Sequence, residues 1–149
     1  MDDYCREKEY EEIKSCPPVD GGEWLYAIVI RASYRKREPG IRFFTDPNHS
    51  QQLACMSYET GHVVPPHRHL LKKRTTIRTQ ELILVREGKI RVDVYNSDDE
   101  LMGMRILEDG DAILLLDGGH ALTALEPSQV MELKTGPYPG RELDKVELK

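Results

Sequence analysis

Two histidines separated by one residue, His67 and His69, close the stretch "GHVVPPHRH" at positions 61–69, which holds three of the chain's five histidines. In extended backbone, residues i and i+2 project from the same face. Pro66 is confined to extended or turn conformations and restricts Pro65 as well, so the two imidazoles are expected side by side. Such a pair suits a first-row transition metal, at nitrogen to metal distances of about 2.0–2.1 Å. Surface HxH pairs also arise by chance, and alone this one reads better as two polar residues on the lip of a turn. His62, in the same stretch, reads as a turn residue, and His49, in "DPNHS", as a loop residue.

Glu81 changes the balance. It opens "ELILVREG", where Ile83 and Val85 share its face and Leu82 and Leu84 take the other. A carboxylate among such neighbours is expected to be buried, and an unpaired buried charge is costly, so a cation is the natural partner. The plainer alternative places Glu81 at an exposed strand end or pairs it with Arg78. The fourth candidate, His120, follows "GDAILLLDGG", where two glycines let the backbone turn sharply and direct a side chain inward. His67, His69, Glu81 and His120 together make a donor set of three imidazoles and one carboxylate. That set suits Fe, Mn, Ni or Zn, with no thiolate nearby, since Cys55 lies outside the motif. No second acid or base stands out: Tyr58, Glu59, Lys134 and Tyr138 read either as pocket residues or as ordinary surface and core.

The elements that must position these groups are strands. From residue 23 onward, short apolar runs alternate with turn residues: "EWLYAIVIRASY", "IRFFT", "QQLACMSYE", "TIRTQELILV", "KIRVDVY", "LMGMRIL", "AILLL", "HALTAL" and "QVMELK". "KIRVDVY" alternates strictly, with Ile90, Val92 and Val94 on one face and Arg91, Asp93 and Tyr95 on the other. Strands arriving every eight to twelve residues, with no amphipathic helix between them, indicate an all-β sandwich or barrel. Residues 1–22 read differently, as a charged segment, helical over 1–16 and broken at "CPPVDGG", attached to a β domain spanning 23–149.

The chain's 149 residues are enough for one domain with a hydrophobic core. Its formal net charge of −5 disfavours nucleic-acid binding, which needs Lys and Arg concentrated on one face. The one basic cluster, Lys72, Lys73, Arg74 and Arg78, reads as a solvated loop. Three cysteines without CxxC spacing argue against a disulfide framework, and no apolar run is long enough to span a bilayer. The expectation is a soluble, cytoplasmic protein with no nucleic-acid or membrane partner.

With these residues in view, the chain resembles the cupin superfamily. Gly61, five residues, His67 and His69, then Glu81, six residues and Gly88 follow the order of the first cupin motif. Gly110 and His120 follow the second, with "LDGGH" replacing its proline-containing turn. The gap from His69 to Glu81, "LLKKRTTIRTQ", is eleven residues long where the family usually has three or four, and an extended hairpin would absorb it. The interval from Gly110 to His120 is one residue shorter than usual. The region "TQELILVREGKIRVDVY" and the tail "ELKTGPYPGRELDKV" are similar to a cupin subgroup found with polysaccharide and sugar biosynthesis. The resemblance implies a small jelly-roll β-barrel with a divalent metal held inside one open end by His67, His69, Glu81 and His120, and often a homodimer.

Two function classes follow. One is a metal-dependent enzyme acting on a small polar metabolite, carbohydrate-derived if the subgroup is a guide, whose isomerase, lyase or dioxygenase chemistry the residues leave open. An open coordination position, which a catalytic metal site requires, favours it. The other is a non-catalytic cupin that binds a metal and a small ligand, favoured by the lack of an obvious acid–base pair.

Overall fold

The computed structural model describes residues 9–15 and 23–148. They fall into two compact units, one formed by the described residues up to Tyr34 together with those from Arg78 onward, the other by Arg35–Ile77. The regular elements among the described residues are almost entirely strands. In the first unit they are β1 (Tyr10–Lys14), β2 (Leu25–Ile30), β5 (Glu81–Glu87), β6 (Ile90–Tyr95), β7 (Leu101–Leu107), β8 (Ala112–Leu115), β9 (Gly119–Ala124) and β10 (Gln129–Lys134). A single helical turn, α1 (Arg141–Asp144), follows them. The second unit contains β3 (Gly40–Phe43) and β4 (Ala54–Ser57). Every apolar run from residue 23 onward is a strand, so the chain is all-β.

The first unit is built from a five-stranded sheet in the order β1-β2-β8-β5-β10 and a three-stranded sheet in the order β7-β6-β9, antiparallel throughout. Among the described residues, hydrogen bonding does not join the two sheets into a closed barrel. Their apolar faces meet instead. Ile13, Val29, Ile83, Val85 and Ile113 from the larger sheet pack in one cluster with Ile90, Val92, Val94 and Leu107 from the smaller. Fully burying each such side chain contributes roughly 1.5–3 kcal/mol before entropy is counted. The runs in β2 and β8 are continuously apolar because both faces are covered: Ile28 and Leu114 are as buried as Val29 and Ile113.

One expectation needs correction. The part of the N-terminal segment that is described, Tyr10–Lys14, is a strand paired with β2 and not a helix. Nor is it an appendage, since Ile13 is only 3 % exposed and sits in the core. Residues 1–8 and the proposed break at 16–22, with Cys5 and Cys16, lie outside the described residues. The charges that suggested a solvated helix are used in place. Glu11 accepts hydrogen bonds from Arg31 Nε and Nη2 at 3.0 and 2.7 Å and from Arg105 Nε at 2.6 Å. Asp111 accepts a further bond from Arg31 Nη1 at 2.9 Å. Burial alone would raise the Glu11 carboxyl, but the hydrogen bonds and charges of Arg31 and Arg105 outweigh it and hold the group below its ordinary value. This cluster ties β1 and β2 of one sheet to β7 of the other. Asp93, on the face of β6 opposite Ile90, Val92 and Val94, is buried as well. It is 6 % exposed, with its carboxylate accepting from the Arg91 guanidinium at 2.8 Å.

In the second unit, β3 and β4 pair antiparallel from Gly40 opposite Ser57 to Phe43 opposite Ala54. The connection between them is held by its own polar groups: Asp46 accepts from Asn48 N–H, and Gln52 Nε2 donates to the carbonyls of Asp46 and His49. Residues 58–77 form no helix or strand. No helix among the described residues is long and apolar enough to cross a membrane.

If Ile13 is a core residue, Ile13→Ala should lower the unfolding free energy by about 2–4 kcal/mol, measured by chemical denaturation. A solvated appendage at this position would give a change near zero.

Candidate functional site

Glu81 is the first residue of β5 and pairs across the sheet with Leu115 on β8, so it faces inward with Ile83 and Val85. It is 8 % exposed. The burial foreseen from its apolar neighbours therefore holds, and its partner is not Arg78. His120 Nε2 lies 3.0 Å from Glu81 Oε2, so the imidazole N–H donates to the carboxylate. His120 stands on β9 opposite Val94, on the inward face of the smaller sheet. The hydrogen bond consequently bridges the two sheets. It is also the main reason that the Glu81 carboxyl lies below its ordinary value of 4.5. Burial pushes the other way, while the positive charges of His120, Lys134 and Lys145 add to the lowering.

The glycine pair delivers His120 as its spacing suggested. Gly118 has φ of 74°, and a Cβ at that position would overlap the carbonyl oxygen of Tyr95, so no other residue fits. Asp117 holds the turn from the other side. Its Oδ1 accepts from Gly118 N–H at 2.9 Å and from Arg78 Nε at 2.8 Å, and its Oδ2 accepts from Trp24 Nε1 at 2.7 Å. The Arg78 guanidinium also lies over the indole of Trp24, 5.4 Å from the ring centroid. Arg78, grouped in the sequence with a solvated basic loop, is thus a clamp on the turn before His120.

A cleft of about 520 Å³ opens beside the pair, a volume suited to a small metabolite. Glu81, Leu115, His120 and Leu122 line it from the sheets, with Asp144, Lys145 and Leu148 from the chain beyond β10. Lys134, on β10 opposite Glu81, donates to Asp144 Oδ2 at 3.0 Å and lies 4.4 Å from the centroid of the Tyr138 ring. A second cleft, about 660 Å³, is lined by Glu11, Arg31, Lys89, Glu108 and Asp111, whose charges engage one another.

His67 and His69 lie in the second unit, on exposed chain without regular structure. Their rings are neighbours, 5.5 Å between centroids and nearly perpendicular, as the i, i+2 spacing suggested. His67 Nδ1 is 2.9 Å from the carbonyl oxygen of Pro65, which directs the proton of that nitrogen to the backbone and leaves Nε2 as the lone-pair donor. His62 behaves as a turn residue: its N–H donates to Glu59 O at 3.1 Å and its ring stacks on Tyr58. The four candidates thus appear as two pairs, one in each unit. Among the described residues, no three His, Cys, Asp or Glu side chains are grouped as a metal site.

The donor chemistry nevertheless fits a metal. Two donors each about 2.1 Å from one ion, at a right angle, stand about 3.0 Å apart, which is the Glu81–His120 spacing. The same separation makes a good hydrogen bond. The geometry of this pair serves either role.

No family model matches the chain, and no curated protein or solved structure matches it.

The lowered Glu81 carboxyl has a consequence for acid stability. Its contribution is present above the ordinary glutamate range and is lost as pH falls through the lower folded-state value. Glu81→Gln should therefore flatten the acid limb of the stability curve, as pH falls through and below the ordinary glutamate range, by at most about 1.4 kcal/mol per pH unit. Unchanged acid dependence in denaturation curves would mean that folding leaves the Glu81 carboxyl at its ordinary value.

Proposed function

We propose that this chain is a jelly-roll protein of the cupin type, cytoplasmic and homodimeric, whose metal-dependent activity acts on a small polar metabolite. The observation that carries the proposal is the buried Glu81–His120 pair at the edge of a cleft of about 520 Å³. An ionised carboxylate has been kept on an apolar face, where burial would ordinarily select against it, and beside it stands an imidazole that lines the cleft and stays partly exposed. The all-β strand pattern and the order of Gly61, His67, His69, Glu81, Gly88, Gly110 and His120 add to it. By that motif, Glu81 and His120 would hold the ion together with His67 and His69, and Fe, Mn, Ni or Zn are the ions that such a nitrogen and oxygen set accepts. When bound, the ion would supply a Lewis acid with a position open to a carbonyl or hydroxyl of the substrate. Leu115 and Leu122 give the cleft apolar lining, and Asp117 with Gly118 fixes the direction from which His120 approaches.

A second reading is favoured by the hydrogen bond itself. A histidine oriented by a carboxylate at 3.0 Å, next to a cleft, is also the arrangement of a general acid or base. In that case His120 would exchange a proton with the substrate and Glu81 would orient the ring, without an ion.

Elemental analysis of the untagged full chain, after incubation with each of the four ions and gel filtration, separates the two readings. The metal reading predicts near-stoichiometric retention of at least one ion, reduced to background in His69→Ala and in His120→Ala. Background retention by the unaltered chain would reject it and leave the acid–base reading.

A further inference from the structure

The segment that follows β10 does more than end the sheet. Past Tyr138 it makes the single turn α1 and runs on through Lys145, Val146 and Leu148, all of which line the Glu81–His120 cleft. The helix has no side-chain cap and buries no residue, so it has little stability of its own. Among the described residues, an ion pair and an apolar contact tie it to the sheets. Asp144 accepts from Lys134 Nζ at 3.0 Å, with both side chains largely shielded from solvent. Leu148 lies over Gly119, the residue next to His120, so closely that a Cβ on Gly119 would come within 2.9 Å of Leu148 Cδ1. An exposed ion pair between Arg141 and Glu147, 3.0 Å, braces the segment against itself and not against the sheets.

We propose that residues 141–148 form a strap that makes one wall of the cleft, controls access to the Glu81–His120 pair and limits the size of the ligand admitted. The proposal concerns the site put forward above, but not the identity of what binds there. A strap held by these contacts can release without disturbing the core, because neither Lys134 nor Gly119 belongs to the apolar cluster between the sheets. Its closed position places Lys145 near Glu81, where its charge helps keep the carboxylate ionised. Small ligands would then enter through a release of the strap, and Leu148 and Lys145 would meet them first.

The test reads access to His120 without any metal. The full chain, in chelator, is treated with diethyl pyrocarbonate, and the modification rate of each histidine is followed by peptide mass spectrometry. His67 and His69, both exposed, serve as internal references. Asp144→Asn and Leu148→Ala should each raise the rate at His120 about fivefold, the effect of removing a contact worth roughly 1 kcal/mol, with the reference rates unchanged. The double variant G119C/L148C supplies the opposite perturbation. Oxidised, it should protect His120 to below the level of the unaltered chain, and reduction should reverse the effect. Equal His120 rates in all these proteins would overturn the strap. So would protection lost at every histidine in the point variants without protection gained in the oxidised one. Because no ion is present, failure here leaves the metal reading standing, and absence of metal retention leaves the strap standing.

Discussion

A carboxylate facing an apolar interior has to be compensated, and the site in this protein is organised around how that is done. Glu81 shares its face with Ile83, Val85 and Leu115, where a lone negative charge would cost several kcal/mol. His120 answers it from the opposite sheet. To reach it, β9 must begin at Gly119, the turn at Gly118 must take a left-handed conformation, and Asp117 must be held by Trp24 and Arg78. The hydrogen bond is therefore a long-range constraint on how the two sheets meet at that edge. At a different position the Arg31 cluster makes a comparable connection, with Glu11 and Asp111 as the carboxylates. Elsewhere the sheets share the apolar cluster that includes Ile13, Val29, Ile83, Val92 and Leu107.

The two links differ in what they leave over. In the Arg31 cluster every charge is matched by one of opposite sign, and the geometry is that of a structural brace. At Glu81 and His120 the pair borders a cleft, and the His120 side chain retains 27 % of its exposure. A group that is anchored on one side and open on the other can act on a ligand, which is why the site and not the brace carries the functional proposal.

Much of this was legible in the sequence, and the physical reason is local. Strands from β2 to β10 announce themselves by apolar runs and turn residues, and Gly88 and Gly118 stand where positive φ is needed. Glu81 could be read as buried because its own strand neighbours are apolar. β1 could not be read this way. Its inward residues are Glu11 and Ile13, and Glu11 is tolerated inside only because Arg31 and Arg105 arrive from positions 20 and 94 residues away. The strap was hidden too: Lys134 was visible as a candidate pocket residue, but Asp144 and Leu148 acquire their meaning only from what lies across from them. His67 and His69 do stand ring beside ring, as their spacing implied, within a unit that the structure describes separately from Glu81 and His120.

The central claim is that Glu81 and His120 act as one unit poised to accept a ligand atom. Ring nitrogen-15 spectra of the histidines, recorded on the full chain as zinc is added, test it most directly. In the metal-free chain, His120 should show Nε2 carrying the proton that it donates to Glu81. On adding zinc, that nitrogen should lose its proton and take on the shift of a metal-bound imidazole, while the fold is unchanged. A His120 spectrum indifferent to zinc, with Nε2 unprotonated from the start, would contradict the account.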